Sequence, residues 1–548
     1  MAAAAGLALG LRLYLLSRPG YLTGITEYDD GVYLGGAVRL LSGALPYRDY
    51  AFVQPPGILL LMTPVAAVAK LSGAASAMAL ARLLTAAASA AGVILAGTLV
   101  RYLGTLVTAT TCMLLALYPD DITAAHTLLL EPWMNLLLLA GTGLAFREGR
   151  LRGSRSLLCG GVLFGLAGAV KFWAAIPALA LLLVCLAVRP GRDGPVSRGG
   201  RISPAFWFGG GTVAAFTVAV APFAAPQPGL FVRSTLLDQA ARAGSAVPES
   251  LRLANLTGLG LLLDDAGRFT GSTASSLFAR SDVTAAATWA TGPLPVLLAV
   301  AGAAVACLGY SAGGVRPLGW YAAGVLGGTA AAVLGYSAFF YHYGDFAAPW
   351  LALSAGFAAA GLRERFTRRT PAGRRQPDRP DESTRRDRSG RRLRAGLALA
   401  VLAVAGWQSW QLSGLRAAEP RADAALIPPG ACVVTDEISL AIAASRFTAG
   451  RDGCPDVLDS LATTLVADNG VSIQGGADRL PPVVRDWKRI LAQADYVWLS
   501  SSSDRRIPWT AGLRTWFAGA FRPLDVPPGQ AGEGQLYIRR GPRPASPG

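Results

Sequence analysis

Residues 24–43 read GITEYDDGVYLGGAVRLLSG. Two carboxylates, Asp29 and Asp30, stand side by side directly after the first apolar run of the chain. Adjacent carboxylates repel each other, and close to a membrane each needs water or a cation. Their meaning depends on where they lie relative to the bilayer, which the apolar runs of the chain set.

Of 548 residues, 52% are hydrophobic and only 15% charged, against about 25% charged in ordinary soluble domains. Mean hydropathy is +0.40. A bilayer is crossed by about 17–25 apolar residues. Candidate spans are about 1–16, 78–100, 104–118, 128–146, 156–170, 171–188, 204–224, 290–311, 318–339, 346–362 and 395–411. The fold class is therefore a polytopic α-helical membrane protein with about 11–12 transmembrane helices. The opening run reads as a first span and not as a removed signal peptide.

The net charge of +16 is unevenly placed. Residues 363–394 hold thirteen Arg against five acids, half of the excess. Such loops mark the cytoplasmic side, and the same holds for REGRLRGSR (147–155) and RPGRDGPVSRGGR (189–201). Nucleic acid is a poor partner for the long Arg run, because Phe366 is its one aromatic residue. Between these anchors the parity of crossings places 118–127, the neighbourhood of Lys171, 225–289, 341–345 and 413–548 on the outer side. Residues 17–77 become one long outer excursion if the interrupted run 54–73, opened by Pro55-Pro56 and broken by Pro64, is interfacial or re-entrant.

The chain thus divides into a membrane part, 1–412, and a small extracytoplasmic α/β domain, 413–548. In the latter, CVVTD (432–436), YVWLS (496–500) and LYIRR (536–540) read as strands and VVRDWKRILAQA (483–494) as a helix. Cys432 and Cys454 lie there and suit a disulfide in an oxidising compartment, whereas Cys112, Cys159, Cys185 and Cys307 lie in apolar runs.

The outer face collects the polar groups that carry chemistry. Asp29 and Asp30 open a stretch in which Val32, Leu34, Val38 and Leu41 line one side of an interfacial helix. They read either as acids at the positive end of that helix or as carboxylates that activate a hydroxyl or bind a metal. A second acidic cluster is Asp120, Asp121 and Glu131, with His126, read as structural, between them. Lys171 sits at an outer turn, where it either snorkels or anchors a phosphate. Arg233, Asp238 and Arg242 start one helix, and Arg forks suit phosphate. Tyr341, His342, Tyr343 and Asp345 crowd between two spans. No His or Cys spacing specifies a metal, and neither a P-loop nor a nucleophile elbow is present.

The order of these features resembles the GT-C superfamily of membrane glycosyltransferases, in particular the branch of protein mannosyltransferase-like and aminoarabinose transferase-like proteins (family 39-type). The resemblance rests on the acidic pair after the first span, the following Tyr33 and LGGAVRLLSGALPYRDY, then QPPG (54–57), and later YHYGDFAAPWLAL (341–353). It implies transfer of a sugar from a polyprenyl-phosphate carrier to an acceptor hydroxyl of a cell-envelope glycan, lipid or protein. It places the active site and the C-terminal domain outside a bacterial inner membrane. It makes Asp29 the base or acceptor-orienting carboxylate, Asp30 its support and Asp121 the acid of the second outer loop. Many relatives carry Lys before the Pro where this chain has Gln54. The donor phosphate then falls to Lys171, Arg242, His342 and Tyr343. No cofactor is specified; a divalent cation, Mg2+ or Mn2+, is left open. A lipid-carrier flippase or other transporter is the competing reading, but it calls for ionisable residues near the middle of several spans. A scaffold that binds cell-wall components through its outer domain is a third.

Overall fold

A computed structural model describes residues 1–187, 203–242, 249–256, 293–312, 316–369, 396–447, 453–467, 476–524 and 534–542, apart from residues 397, 411, 456 and 502. The basic loop 189–201, most of 363–394 and much of the loop 225–289 lie outside the described residues. The protein is largely helical. Ten helices open the chain: α1 (Ala2–Leu16), α2 (Tyr28–Leu41), α3 (Gly57–Ser72), α4 (Ala74–Val100), α5 (Thr105–Ala116), α6 (Pro119–Ala124), α7 (Leu130–Ala145), α8 (Ser154–Val170), α9 (Ala175–Ala187) and α10 (Pro204–Ala224). A two-stranded hairpin, β1 (Phe146–Arg147) and β2 (Arg150–Leu151), joins α7 to α8. Helices Pro293–Ala312, Pro317–Gly335 and Tyr343–Arg369 follow.

Among the described residues, four helices are long and apolar enough to cross a bilayer: Ala74–Leu103, Pro204–Ala224, Pro317–Gly335 and Tyr343–Arg365. Shorter apolar helices, among them Gly57–Ser72 and Ala398–Trp410, accompany them. This is a multi-pass membrane protein. Its outward side chains fit that solvent: Leu183, Val213, Val218, Leu399 and Leu402 are each more than 60% exposed, which suits acyl chains and not water. Helix starts follow local chemistry, with proline at the first position of α6, of α10 and of Pro317–Gly335, where its missing N–H costs nothing. Helices α8 and α10 meet backbone to backbone. A Cβ at Gly161 or Gly165 would collide with the carbonyls of Phe208 or Thr212, the small-residue packing that membrane helices use in place of a hydrophobic drive.

The C-terminal region carries a four-stranded sheet in the order β3 (Val433–Thr435), β4 (Tyr496–Leu499), β6 (Gln535–Arg539), β5 (Phe521–Pro523). β3 and β4 are parallel, with Val434 opposite Val497; the other pairs are antiparallel. Helix Pro481–Ala492 lays Val483, Trp487 and Leu491 on the sheet, all fully buried. Cys432 and Cys454 form a disulfide.

The first loop and the C-terminal region are built into each other. Ile25 pairs with Ala418 as an antiparallel bridge, and the Ala417 N–H bonds the Pro19 carbonyl. This alters one expectation. Helix α2 does not lie at an interface with one apolar side: every residue from Asp30 to Arg39 is buried. Helices α3 and α4 cover it on one side and the short helix Ile438–Ala443 covers it on another.

Candidate active site

Helix α2 begins where Glu27 turns its carboxylate onto the Tyr28 N–H, 3.1 Å away. Asp29 and Asp30 fall in its first turn, the positive end of the helix dipole. Neighbouring residues of a helix point about 100° apart, and the two acids enter different surroundings. Asp30 is fully buried. Arg82 of α4 donates to its Oδ2 from Nε at 3.2 Å and from Nη2 at 2.5 Å. The Thr127 hydroxyl adds a 2.5 Å bond to the same oxygen, and Ser439 reaches Oδ1 at 3.1 Å. Arg82 is completed by the Tyr21 carbonyl at 2.8 Å. A buried charge so paired and bonded holds structure together; the geometry makes Asp30 a strut between four segments. Asp29 is half-buried. Among the described residues its carboxylate takes one hydrogen bond, from the Tyr33 hydroxyl one turn along, at 3.1 Å.

The second acidic cluster divides similarly. Asp121 is buried, bound to Arg12 of α1 at 2.8 Å and to the Ser89 hydroxyl at 2.5 Å. Asp120 is buried against Gly344, where any Cβ would strike its carboxylate. Neither lies open to a substrate. Glu131, at the start of α7, differs. Its Oε1 receives both the Lys171 ammonium and His342 Nδ1, the latter at 2.8 Å. Its Oε2 is buried and has no hydrogen-bond partner among the described residues. Lys171 projects from the extended break after α8, and its ammonium lies 4.7 Å from the centre of the Tyr343 ring, a cation–π contact. One turn beyond Glu131, Asn135 donates to the carbonyl and carboxylate of Asp345, at 2.9 and 3.3 Å.

The segment around residues 339–345 joins the clusters. The Tyr341 hydroxyl donates to Glu27 Oε2 at 3.1 Å. Asp29 and Glu131 both act electrostatically on the Tyr33 and Tyr341 phenols, so the two acids share one neighbourhood. Burial, and after it the charges of Asp29 and Asp30, push the Glu27 carboxyl up to about 8. Arg242 stacks over Phe340 with 5.2 Å between guanidinium and ring centre. Arg233 is spent on Asp238, 3.6 Å away. His126 is buried, bonded to the Thr123 carbonyl and tilted against Tyr21; burial pushes it down to about 4.

The C-terminal region also reaches this neighbourhood. The Tyr28 hydroxyl donates to Asp459 Oδ1 at 2.9 Å. Arg506, paired with Glu437 at 2.6 Å, covers the Tyr28 ring at 4.3 Å. Sequence reasoning missed Glu27, Arg12, Arg82, Ser439, Asp459 and Arg506. For Arg12 and Arg82 a signal existed: a lone Arg in an apolar run needs a partner. For Ser439, Asp459 and Arg506 there was none, since only folding brings them to α2. Among the described residues, no group of three or more His, Cys, Asp or Glu side chains is arranged to hold a metal ion.

No family model matches the sequence, and no curated protein matches it. Solved structures do. ArnT from Cupriavidus metallidurans bound to undecaprenyl phosphate is 14% identical, with a TM-score of 0.56 over 100% of this chain and 98% of that one. The apo state of the same protein gives 15% identity and a TM-score of 0.57, over 98% and 97% of the two chains. At such identity the likeness is one of fold. The chain shares the fold of that transferase along its whole length.

Proposed function

We propose that this protein is an integral membrane glycosyltransferase that moves a sugar from a polyprenyl-phosphate donor to an acceptor hydroxyl. The observation that carries the reading is the split between two adjacent acids: Asp30 is spent on Arg82, while Asp29 stays half-buried with one hydroxyl on it. A carboxylate left in that condition is suited to take a proton. The surrounding Lys171 and Arg242 cations, with the His342 ring beside them, suit an anionic leaving group.

In the step proposed, Asp29 accepts the proton of the acceptor hydroxyl as its oxygen bonds to the anomeric carbon. The bond from that carbon to the carrier phosphate breaks, and its electron pair goes to the phosphate oxygen. Glu131 orients Lys171 and His342, leaving the remaining ammonium N–H groups for the phosphate. Tyr343 carries the ammonium on its ring. Displacement from the face opposite the phosphate inverts the anomeric centre. The sugar and the acceptor are cell-envelope components; the active site and residues 413–548 face outward from a bacterial inner membrane.

The test is a transfer assay with purified protein and a panel of polyprenyl-phosphate sugars. Asp29→Asn should lower turnover by about 10²–10⁴-fold, the worth of a general base, with thermal stability unchanged. Undiminished transfer by a folded Asp29→Ala protein would overturn the assignment.

A further inference from the structure

At the other end of the same helices lies a cavity of about 480 Å3, within the range of about 300–1,000 Å3 that small ligands occupy. Its walls come from the end of α4 (Thr98 and Leu99), the turn after it (Arg101 and Tyr102), the β1–β2 hairpin and Leu318. Arg82 and Leu99 are both on α4, seventeen residues apart, so about 25 Å of helix separates the Asp30 strut from this cavity. The two sites therefore belong to opposite faces of the membrane part.

The cavity is built for an anion. Arg101, Arg147 and Arg152 line it, with Glu148 as the one acid of the lining. Among the described residues, no hydrogen bond or ion pair engages any of the three guanidinium groups. Three like charges around one concavity repel one another and concentrate the field within it. The Tyr102 hydroxyl is buried in the wall and also lacks a hydrogen-bond partner among the described residues, although a buried hydroxyl ordinarily has one. Its ring is held by Arg316, whose guanidinium lies 4.7 Å from the ring centre and which also donates to the Glu148 carbonyl. The hairpin turn is shaped around that hydroxyl. Gly149 has φ +78, and a Cβ there would strike it. Guanidinium forks match phosphate oxygens.

We infer that this cavity binds a phosphate-ester anion, with Arg101, Arg147 and Arg152 as the charge partners and Tyr102 as the residue that shapes the hairpin wall. The occupant is the headgroup of an anionic phospholipid in the leaflet facing away from Asp29, where clustered basic residues meet negative lipid. The site stands independently of the glycosyltransferase reading.

The experiment uses the purified full-length protein and measures its thermal midpoint against added phosphatidylglycerol, phosphatidylcholine or inorganic phosphate. Phosphatidylglycerol should raise the midpoint and phosphatidylcholine should not. The variant carrying Arg101→Gln, Arg147→Gln and Arg152→Gln should need at least about tenfold more phosphatidylglycerol for the same rise, since it loses the basic groups that attract anionic lipid. Glu148→Gln should need less lipid than wild type, an opposite response that a folding defect would not produce. Protection by inorganic phosphate alone, with the same response to the variants, assigns the site to free phosphate in place of lipid. Equal lipid response in wild type, the triple variant and Glu148→Gln overturns the proposal.

Discussion

Arg82 and Asp30 lock together at 2.5 Å with neither side chain more than 1% exposed, and this pair decides what the next residue can do. With Asp30 spent on an arginine, Asp29 is the acid of the pair left half-buried with one hydroxyl on it. Breaking a buried pair from one side leaves a bare charge, at a cost of about 3–5 kcal/mol. Arg82→Ala is expected to lower the stability of the purified protein by about that much, read by thermal unfolding. Asp29→Asn should leave the unfolding curve in place. A stable Arg82→Ala protein would mean that Asp30 is not the strut described.

Glu27 provides a pH signature. Its carboxyl titrates at about 8 in the fold, against about 4.3 in an unfolded chain. A raised carboxyl binds more protons folded than unfolded. The stability it contributes is thus complete below about pH 4 and is lost as pH rises through about 8. Glu27→Gln should flatten the decline in thermal stability between about pH 5 and 8. An identical decline in wild type and variant would exclude Glu27 as its source.

Gly31 is where α2 meets helix Ile438–Ala443. A Cβ there would run into the hydroxyl and backbone of Ser439. Overpacking of this kind costs about 1–3 kcal/mol, and it also displaces the helix that presents Asp29. Gly31→Ala should lower both transfer rate and stability, with Gly31→Val lower still. Normal turnover in both would show that the contact yields without moving Asp29.

The Cys432–Cys454 disulfide closes a loop with a sequence separation of 22. A loop of that size stabilises by about 3 kcal/mol through the unfolded state. Replacing both cysteines with serine should lower the stability of the C-terminal region by about that amount, measured as faster proteolysis between residues 413 and 542. No change in cleavage rate would mean that the sheet alone holds the region.

Much of the helical plan was legible because apolar length and punctuation are local. The run 204–224 coincides with α10 because a proline opens it, and Lys171 marks the break after α8 because an ammonium cannot stay among acyl chains. The strand Phe521–Pro523 was missed: it is three residues long, shows no alternation and exists only because Tyr537 and its neighbours pair with it. Which distant residues would hold Asp30 and Asp121 was also beyond reach. Asp30 takes its partners from positions 82, 127 and 439, and Asp121 from positions 12 and 89. Such choices depend on distant chain segments and not on the residues flanking an acid.

The contact between Ser439 and Asp30 spans 409 positions of sequence. A ribosome therefore makes the helix bearing Asp29 long before it makes the residues that finish that helix's surroundings. Until the C-terminal region arrives, α2 has an uncovered flank and Tyr28 lacks Asp459. Assembly thus acts as a timer: a partly made chain, already inserted in the membrane, holds Asp29 in an unfinished setting, and its surroundings close only with the last quarter of translation.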